Sequence, residues 1–339
     1  VSRTTQHPYE NLTPERVLDA LASVGLHGDG RLMALSSYEN RVYQVGLEEG
    51  QGQAPDATVV IKFYRPGRWS DAQIEEEHAF ATELAAAEVP MIAPLRLGGR
   101  TLAHHEGFAF SVSPWRGGRR PELEDPDVLE WIGRFLARIH QVGRLRPFVH
   151  RPALDLASFG RASQFMLLEG DHLPLDVASS WRAASDEALQ VAGELWRQAG
   201  ALQELRLHGD CHPGNILWTP MGSVAAGPHF VDLDDARTGP AIQDLWMLLA
   251  GERAQRQRQL GALLDGYEQM GEFDRRELPL VEVLRTLRLI HYSAWLAQRW
   301  SDPIFPINFP WFGSRDYWQG QVDLLIEQTE AMQEPALVA

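Results

Sequence analysis

Between Asn215 and Asp232 the chain reads "ILWTPMGSVAAGPHFV", an apolar run, a Pro/Gly turn and a second apolar run. That pattern predicts a two-stranded hairpin, and a hairpin of this size returns its two ends to one place. An amide and a carboxylate brought together there suit a hard divalent cation. Mg²⁺ keeps several waters and needs only one or two protein oxygens when substrate phosphates supply others. Just upstream, in "RLHGDCHPGNILW", Asp210 is placed to take a proton from a hydroxyl nucleophile. Asp234 shares the strand-face parity of Asp232 and is an alternative metal ligand. Taken singly, each of these residues reads better as a turn, cap or strand-end residue. The spacing and the intervening hairpin together point to phosphoryl transfer.

Of the 31 Lys and Arg residues only one is lysine, Lys62. It lies in "VVIKFY", apolar on both faces, where an unpaired charge is costly. An ammonium paired to phosphates and to a helix carboxylate resolves that cost. The next helix offers Glu75, Glu76 and Glu77, and only Glu77 falls on the row Ile74, Glu77, Ala81, Leu84 that should face the strands. Glu77 is therefore the expected partner of Lys62, and Glu75 belongs to a solvated face.

At 339 residues the chain exceeds what one core usually serves, so two subdomains are expected. A formal charge of -15 argues against a general nucleic-acid or anionic-membrane binder, which needs clustered cations. Cys211 is the only cysteine, so no intrachain disulfide forms, and it reads as a small packing residue rather than a nucleophile. The opening "VSRTTQHPYENL" has no apolar signal core and no long apolar run follows it, so a cytoplasmic protein without membrane contact is expected.

"TPERVLDALASVGL" predicts a leading helix, and strands around Val42 to Leu47 and Thr58 to Tyr64, joined by a Gly/Pro/Asp turn, predict a hairpin. "SDAQIEEEHAFATELAAAEVP" is a helix capped by Ser70, and "GFAFSVSPWRGGR" is a strand running into a Pro/Gly stretch that marks a domain boundary. Beyond it, "DVLEWIGRFLARIHQV", "EALQVAGELWRQAGAL", "AIQDLWMLLAG", "LVEVLRTLRLIHYSAWLAQRW" and "QVDLLIEQTEAMQ" read as helices around the short β insertion. The order implies a two-lobed α+β protein.

"LHGDCHPGNILW" followed by "FVDLDDA" resembles the HGDxHxxN…D pattern of the aminoglycoside phosphotransferase and choline kinase-like superfamily. With "SYENRVYQV", "VIKFYRPGRW", "FVDLDDARTGPAIQDLWMLL" and "DPIFPINFPWF", the chain is similar, from about Pro14 to about Pro335, to the bacterial stress response kinase A family of cytoplasmic serine/threonine protein kinases. The resemblance implies a bilobal protein-kinase-like fold with an N-lobe at 1–113, a hinge at 114–118 and a C-lobe at 119–339. It implies Asp210 as catalytic base, Asn215 and Asp232 as Mg²⁺ ligands completing the catalytic set, and Lys62 on the phosphates of ATP. It further implies Ser37 as a nucleotide contact, Ser113 to Trp115 as the strap that reads adenine, and Asp244 as support for the catalytic loop. Protein substrates, the enzyme itself among them, and a monomeric state are its remaining implications.

Two departures from ordinary protein kinases stand out. The G-x-G-x-x-G loop is absent, so "LSSYENRVY" must cover the phosphates through Ser36, Ser37 and backbone N–H groups. DFG and APE are absent too, and the short span from Asp232 to Trp246 leaves no room for a long activation loop. The alternative acceptor is an amino alcohol, a choline-like compound or an aminoglycoside. Its local support is the aromatic set Tyr292, Trp295, Trp300, Phe305, Phe309 and Trp311, since aromatic cages bind quaternary ammonium, although core packing also explains Trp295 and Trp300. Arg285 and Arg288, one helical step apart, suit an acidic acceptor or a solvated face.

Overall fold

The computed structural model describes residues 7–50, 57–220 and 222–338. In chain order they form α1 (Pro14–Ser23), β1 (Gly28–Leu35), β2 (Arg41–Leu47), β3 (Thr58–Phe63), α2 (Asp71–Ala86), β4 (Ala103–His105) and β5 (Phe108–Pro114). Next come α3 (Pro126–Gly143), α4 (Ala162–Glu169), α5 (Leu175–Ala199), β6 (Leu205–Leu207), β7 (Ile216–Thr219), β8 (Gly227–Phe230) and β9 (Arg237–Gly239). The chain closes with α6 (Gln243–Trp246), α7 (Arg253–Glu268), α8 (Leu280–Arg299), α9 (Ile304–Asn308) and α10 (Arg315–Gln333). This is the α+β, two-part architecture the sequence implies. One unit holds the residues up to Arg120 together with Gly214–Asp234, and the other holds Pro121–Pro213 and the residues from Asp235 onward.

The first unit is built on an antiparallel sheet in the order β1-β2-β3-β5-β4. Along β3 the odd residues Val59, Ile61 and Phe63 are buried in a core with Val17 and Leu21 of α1, Val45 and Phe110. The even residues, Lys62 among them, point the other way, as the two-residue period requires. α1 starts where the Thr13 side chain accepts from Arg16 N and Pro14 enters the first turn. α2 begins with a reciprocal Ser70/Gln73 capping box and buries Ile74, Glu77, Ala81 and Leu84. The turn expected between β2 and β3 falls largely on residues 51–56, outside the described residues.

Strand β1 has no counterpart in the sequence reading, which runs from α1 directly to the β2–β3 hairpin. It is an edge strand, exposed at Asp29, Gly30 and Arg31, with a register shift between Gly28 and Leu32, so it lacks the apolar alternation that announces a strand. The sequence also suggests one cut at residues 114–118, whereas Gly214–Asp234 groups with the first 120 residues. Backbone hydrogen bonds account for the grouping. Phe230 N donates to Pro90 O at 2.8 Å, Ile92 N to Phe230 O at 3.0 Å, and Trp218 and Arg119 exchange bonds of 2.7 and 3.0 Å.

In the second unit α3 lies directly on α7. A Cβ on Gly133 would collide with the Leu263 carbonyl, and one on Gly266 with the Glu130 carbonyl, so two glycines bring the helix backbones into contact. α5 packs on α8 and α10, and the short β6 pairs antiparallel with β9. α4 and α7 were not anticipated; α7 is polar through its first seven residues and buries Leu260, Leu263, Leu264 and Tyr267 only after them. Among the described residues no helix is long and apolar enough to cross a membrane.

Candidate active site

Lys62 leaves β3 on the side away from the α1 core and lines a cavity of about 480 Å³ in the first unit. Its Nζ lies 3.0 Å from Asp232 Oδ1, 3.2 Å from Asp234 Oδ1 and 3.5 Å from Glu77 Oε1. Burial pulls the ammonium pKa down, but Asp232, Asp234 and Glu77 outweigh it, and the net shift is well upward from the usual lysine value. One cation facing three carboxylates leaves negative charge in excess. Arg68 offsets part of it by pairing with Asp234, and Arg65 and Arg68 lie 2.9 and 3.6 Å from the Glu39 carboxylate.

The β7–β8 register, Ile216 opposite Phe230, brings the ends of the hairpin together, and Val231 N donates to Asn215 O at 3.1 Å. Asn215 and Asp232 both line the cavity that holds Lys62. Asp232 adopts φ +63°, a left-handed conformation that is uncommon outside glycine and typical of constrained sites. Its side chain remains 47% exposed, while that of Asp234 is 5% exposed and held by Arg68. Of the two aspartates, Asp232 is the one open to a ligand. The residues fit a divalent cation: an amide and a carboxylate border the same space, with local negative charge in excess. Among the described residues no group of three or more His, Cys, Asp or Glu could hold a metal, so an ion here would rely on Asn215, Asp232 and oxygens of a phosphate ligand.

Ser36 and Ser37 line the cavity from the β1–β2 turn, and Ser113 and Trp115 line it from the end of β5. The Trp115 N–H donates to Thr58 O at 3.2 Å and is thus engaged within the sheet. Trp115 is 46% exposed. Arg68 was missed by the sequence reading, since its partner Asp234 is remote in the chain and no local pattern joins them.

Asp210 lies in the second unit, on the loop after β6. Asp244 secures that loop: His208 N donates to its Oδ2 at 2.9 Å and Gly209 N to its Oδ1 at 2.8 Å. Asp244 is fully buried, and its carboxyl is nonetheless held below the usual range: burial raises it, but the contact with His140 at 3.1 Å, the charge of His208 and the Gly209 N–H lower it further. Gln243 Nε2 donates to Gly209 O at 2.8 Å, and His140 Nδ1 is 3.0 Å from the Tyr267 hydroxyl. Asp210 itself pairs with Arg288 at 2.8 Å and lies 3.5 Å from His212 Nε2. Cys211 is fully buried, and burial pushes its thiol well above its ordinary value, as suits a packing residue.

Helix α6, which carries Asp244, is itself anchored: Ile242 N donates to Glu277 Oε2 at 2.7 Å. Glu277 is 2% exposed, and burial pushes its carboxyl up to about 7, the Ile242 N–H, Arg144 and Arg276 only partly opposing burial and the charge of Asp274. A raised pKa means the folded state keeps a proton that the unfolded chain releases. The stabilisation is complete below the ordinary value of 4.5 and lost as pH rises through about 7. Glu277→Gln keeps an acceptor for Ile242 and removes the titration. Between pH 4.5 and 8 the parent should lose about 3 kcal/mol more stability than the variant. Urea unfolding of both proteins across that range checks this, and parallel stability curves would show that the carboxyl does not titrate there.

The aromatic set divides. Phe305 and Phe309 are buried, and Trp295 packs edge-on to both at 5.0 and 6.0 Å, while Trp300 lies against Phe312 at 4.8 Å. Tyr292 and Trp311 are exposed. Most of the cluster is therefore core of the second unit. Arg285 pairs with Glu282 at 3.0 Å and stands over the Trp246 ring at 5.2 Å.

Residues 31–280 match the model of the phosphotransferase enzyme family. The serine/threonine protein kinase RdoA of Salmonella typhimurium is 47% identical over 97% of this chain and 96% of its own length. The stress response kinase A of Escherichia coli is 45% identical over the same shares of each. Among solved structures, the amicoumacin kinase hAmiN in complex with AMP-PNP, Ca²⁺ and Ami superposes with a TM-score of 0.68 at 17% identity, covering 94% of this chain and 93% of that one. A microcompartment-associated aminopropanol kinase gives 0.67 at 16% identity, over 94% and 96% of the two chains.

Proposed function

Because the chain belongs to the phosphotransferase enzyme family and, within it, to the stress response kinase A family, it is an ATP-dependent kinase, and we propose that its acceptors are serine and threonine hydroxyls of polypeptides. Lys62, ringed by Glu77, Asp232 and Asp234 beside a cavity that Asn215 also lines, carries the phosphate chemistry. In this reading its ammonium holds phosphate oxygens of ATP while Glu77 fixes its position. Asn215 and Asp232 hold Mg²⁺, which would neutralise charge on the phosphates. Ser37 and the strap from Ser113 to Trp115 contact the nucleotide. Asp210 orients the acceptor hydroxyl and takes its proton as the phosphoryl group leaves ADP, and Asp244 keeps the loop of Asp210 in place. A cytoplasmic location, where ATP is supplied, belongs to the same proposal.

The polypeptide acceptor is supported by the Salmonella relative, described as a serine/threonine protein kinase. The small-molecule alternative is supported by the acceptors in the names of the two solved kinases, at identities that carry fold alone. Purified protein incubated with labelled ATP, Mg²⁺ and a cell extract should place label on serine or threonine of polypeptides, itself included, surviving denaturing electrophoresis. Label confined to choline, homoserine or an aminoglycoside would replace this reading with the alternative.

A further inference from the structure

The pair between Arg288 and Asp210 constrains what the acceptor looks like. Arg288 projects from α8 and lies 2.8 Å from Asp210 Oδ1 through one nitrogen, NH1. Its side chain is 38% exposed, and Asp210 is its one ion-pair partner among the described residues, which leaves the other guanidinium N–H groups available for a ligand. A guanidinium carries five N–H donors in a planar fork, and only one nitrogen is occupied by the base. The remaining donors are a ready site for a second carboxylate or phosphate.

Helical spacing extends the feature. Arg285, Arg288, Tyr292, Trp295 and Arg299 follow one another at steps of three or four and form the incompletely buried side of α8. Arg299 lies 5.4 Å from the centre of the Trp295 ring, and Tyr292 stacks on Trp295 at 5.6 Å. Glu282 is shared between Arg256 at 2.5 Å and Arg285 at 3.0 Å, so this corner keeps positive charge although the whole chain is at -15. A cationic, partly aromatic row that begins at the proposed base is complementary to an acidic segment.

We propose that Arg288 is a specificity-determining residue, and that the acceptor is a serine or threonine with an Asp or Glu one or two positions away. The reach follows from chain geometry. A hydroxyl at hydrogen-bond distance from Asp210 and an anion on the free edge of Arg288 are spanned by one or two residues at about 3.3–3.6 Å each. Arg288 holds the Asp210 carboxylate with one nitrogen and reads the neighbouring acid with the others. This rests on the polypeptide-kinase reading with Asp210 as base.

The test compares three synthetic peptides with one serine each, flanked by acidic, neutral or basic residues, as substrates for the parent, Arg288→Gln and Arg288→Glu. The parent should favour the acidic over the neutral peptide roughly tenfold in kcat/KM. In Arg288→Gln that ratio should fall to near one, mainly through KM of the acidic peptide, and Arg288→Glu should favour the basic peptide. Ratios within one variant cancel any general loss of activity. Equal losses on all three peptides would mean that Arg288 only holds Asp210, and the specificity role would be overturned. A parent that labels all three alike overturns it too, while leaving the kinase reading intact. A parent that labels no peptide, nor any protein in the extract, removes the kinase reading and this inference together.

Discussion

Lys62→Arg should remain folded and lose most of its phosphoryl transfer, on the order of 10²-fold. Of the 31 Lys and Arg residues the other 30 are arginine, so a chance cation at this position would accept the change without effect. Within the site the replacement keeps the charge that Glu77, Asp232 and Asp234 require, which avoids the roughly 3–5 kcal/mol expected when a buried pair is broken. It also replaces a compact point donor with a wide planar fork. A misplacement of about 1 Å at a reacting group is enough for ~10²-fold. A nucleotide probe that acylates lysine should label one internal site in the parent, blocked by excess ATP, and none in the variant, the α-amino group aside. Near-parent activity in the arginine variant would remove Lys62 from the phosphate site.

Asp210→Asn should lower transfer by about 10²–10⁴-fold while nucleotide affinity stays close to the parent's. Asparagine matches the shape of aspartate but cannot accept the hydroxyl proton. The loop around it is secured through His208 N, Gly209 N and Gly209 O, none of which uses the Asp210 side chain. Titration calorimetry with a non-hydrolysable ATP analogue, alongside the transfer assay, separates the two effects. If binding disappears together with activity, Asp210 acts in folding or in holding the nucleotide instead.

How far the chain could be read before folding depended on the range of each interaction. Glu77 was legible because a helical row and a strand period are local patterns, and both carry through to a 3.5 Å contact with Lys62. The β7–β8 hairpin was legible for the same reason. β1 was not, because an edge strand with a bulge and exposed polar residues gains most of its order from β2 and has no alternation of its own. Arg68 with Asp234, and Arg288 with Asp210, were hidden because charged residues distant in sequence have no periodicity to betray their partner. Arg288 stood out only as one of two arginines on a helix face.

At Gly133 and Gly266 the backbones of α3 and α7 come so close that a Cβ at either position would strike a carbonyl of the other helix. His140 on α3 and Tyr267 on α7 are linked to each other, and His140 reaches Asp244. In an ordinary helix pair the spacing drifts as substitutions change the girth of the interface, and whatever is mounted on it drifts as well. At the two glycines there is no girth to vary. The mounting of the Asp210 loop therefore has the character of a machined stop, and a change at either glycine should act as a break rather than an adjustment.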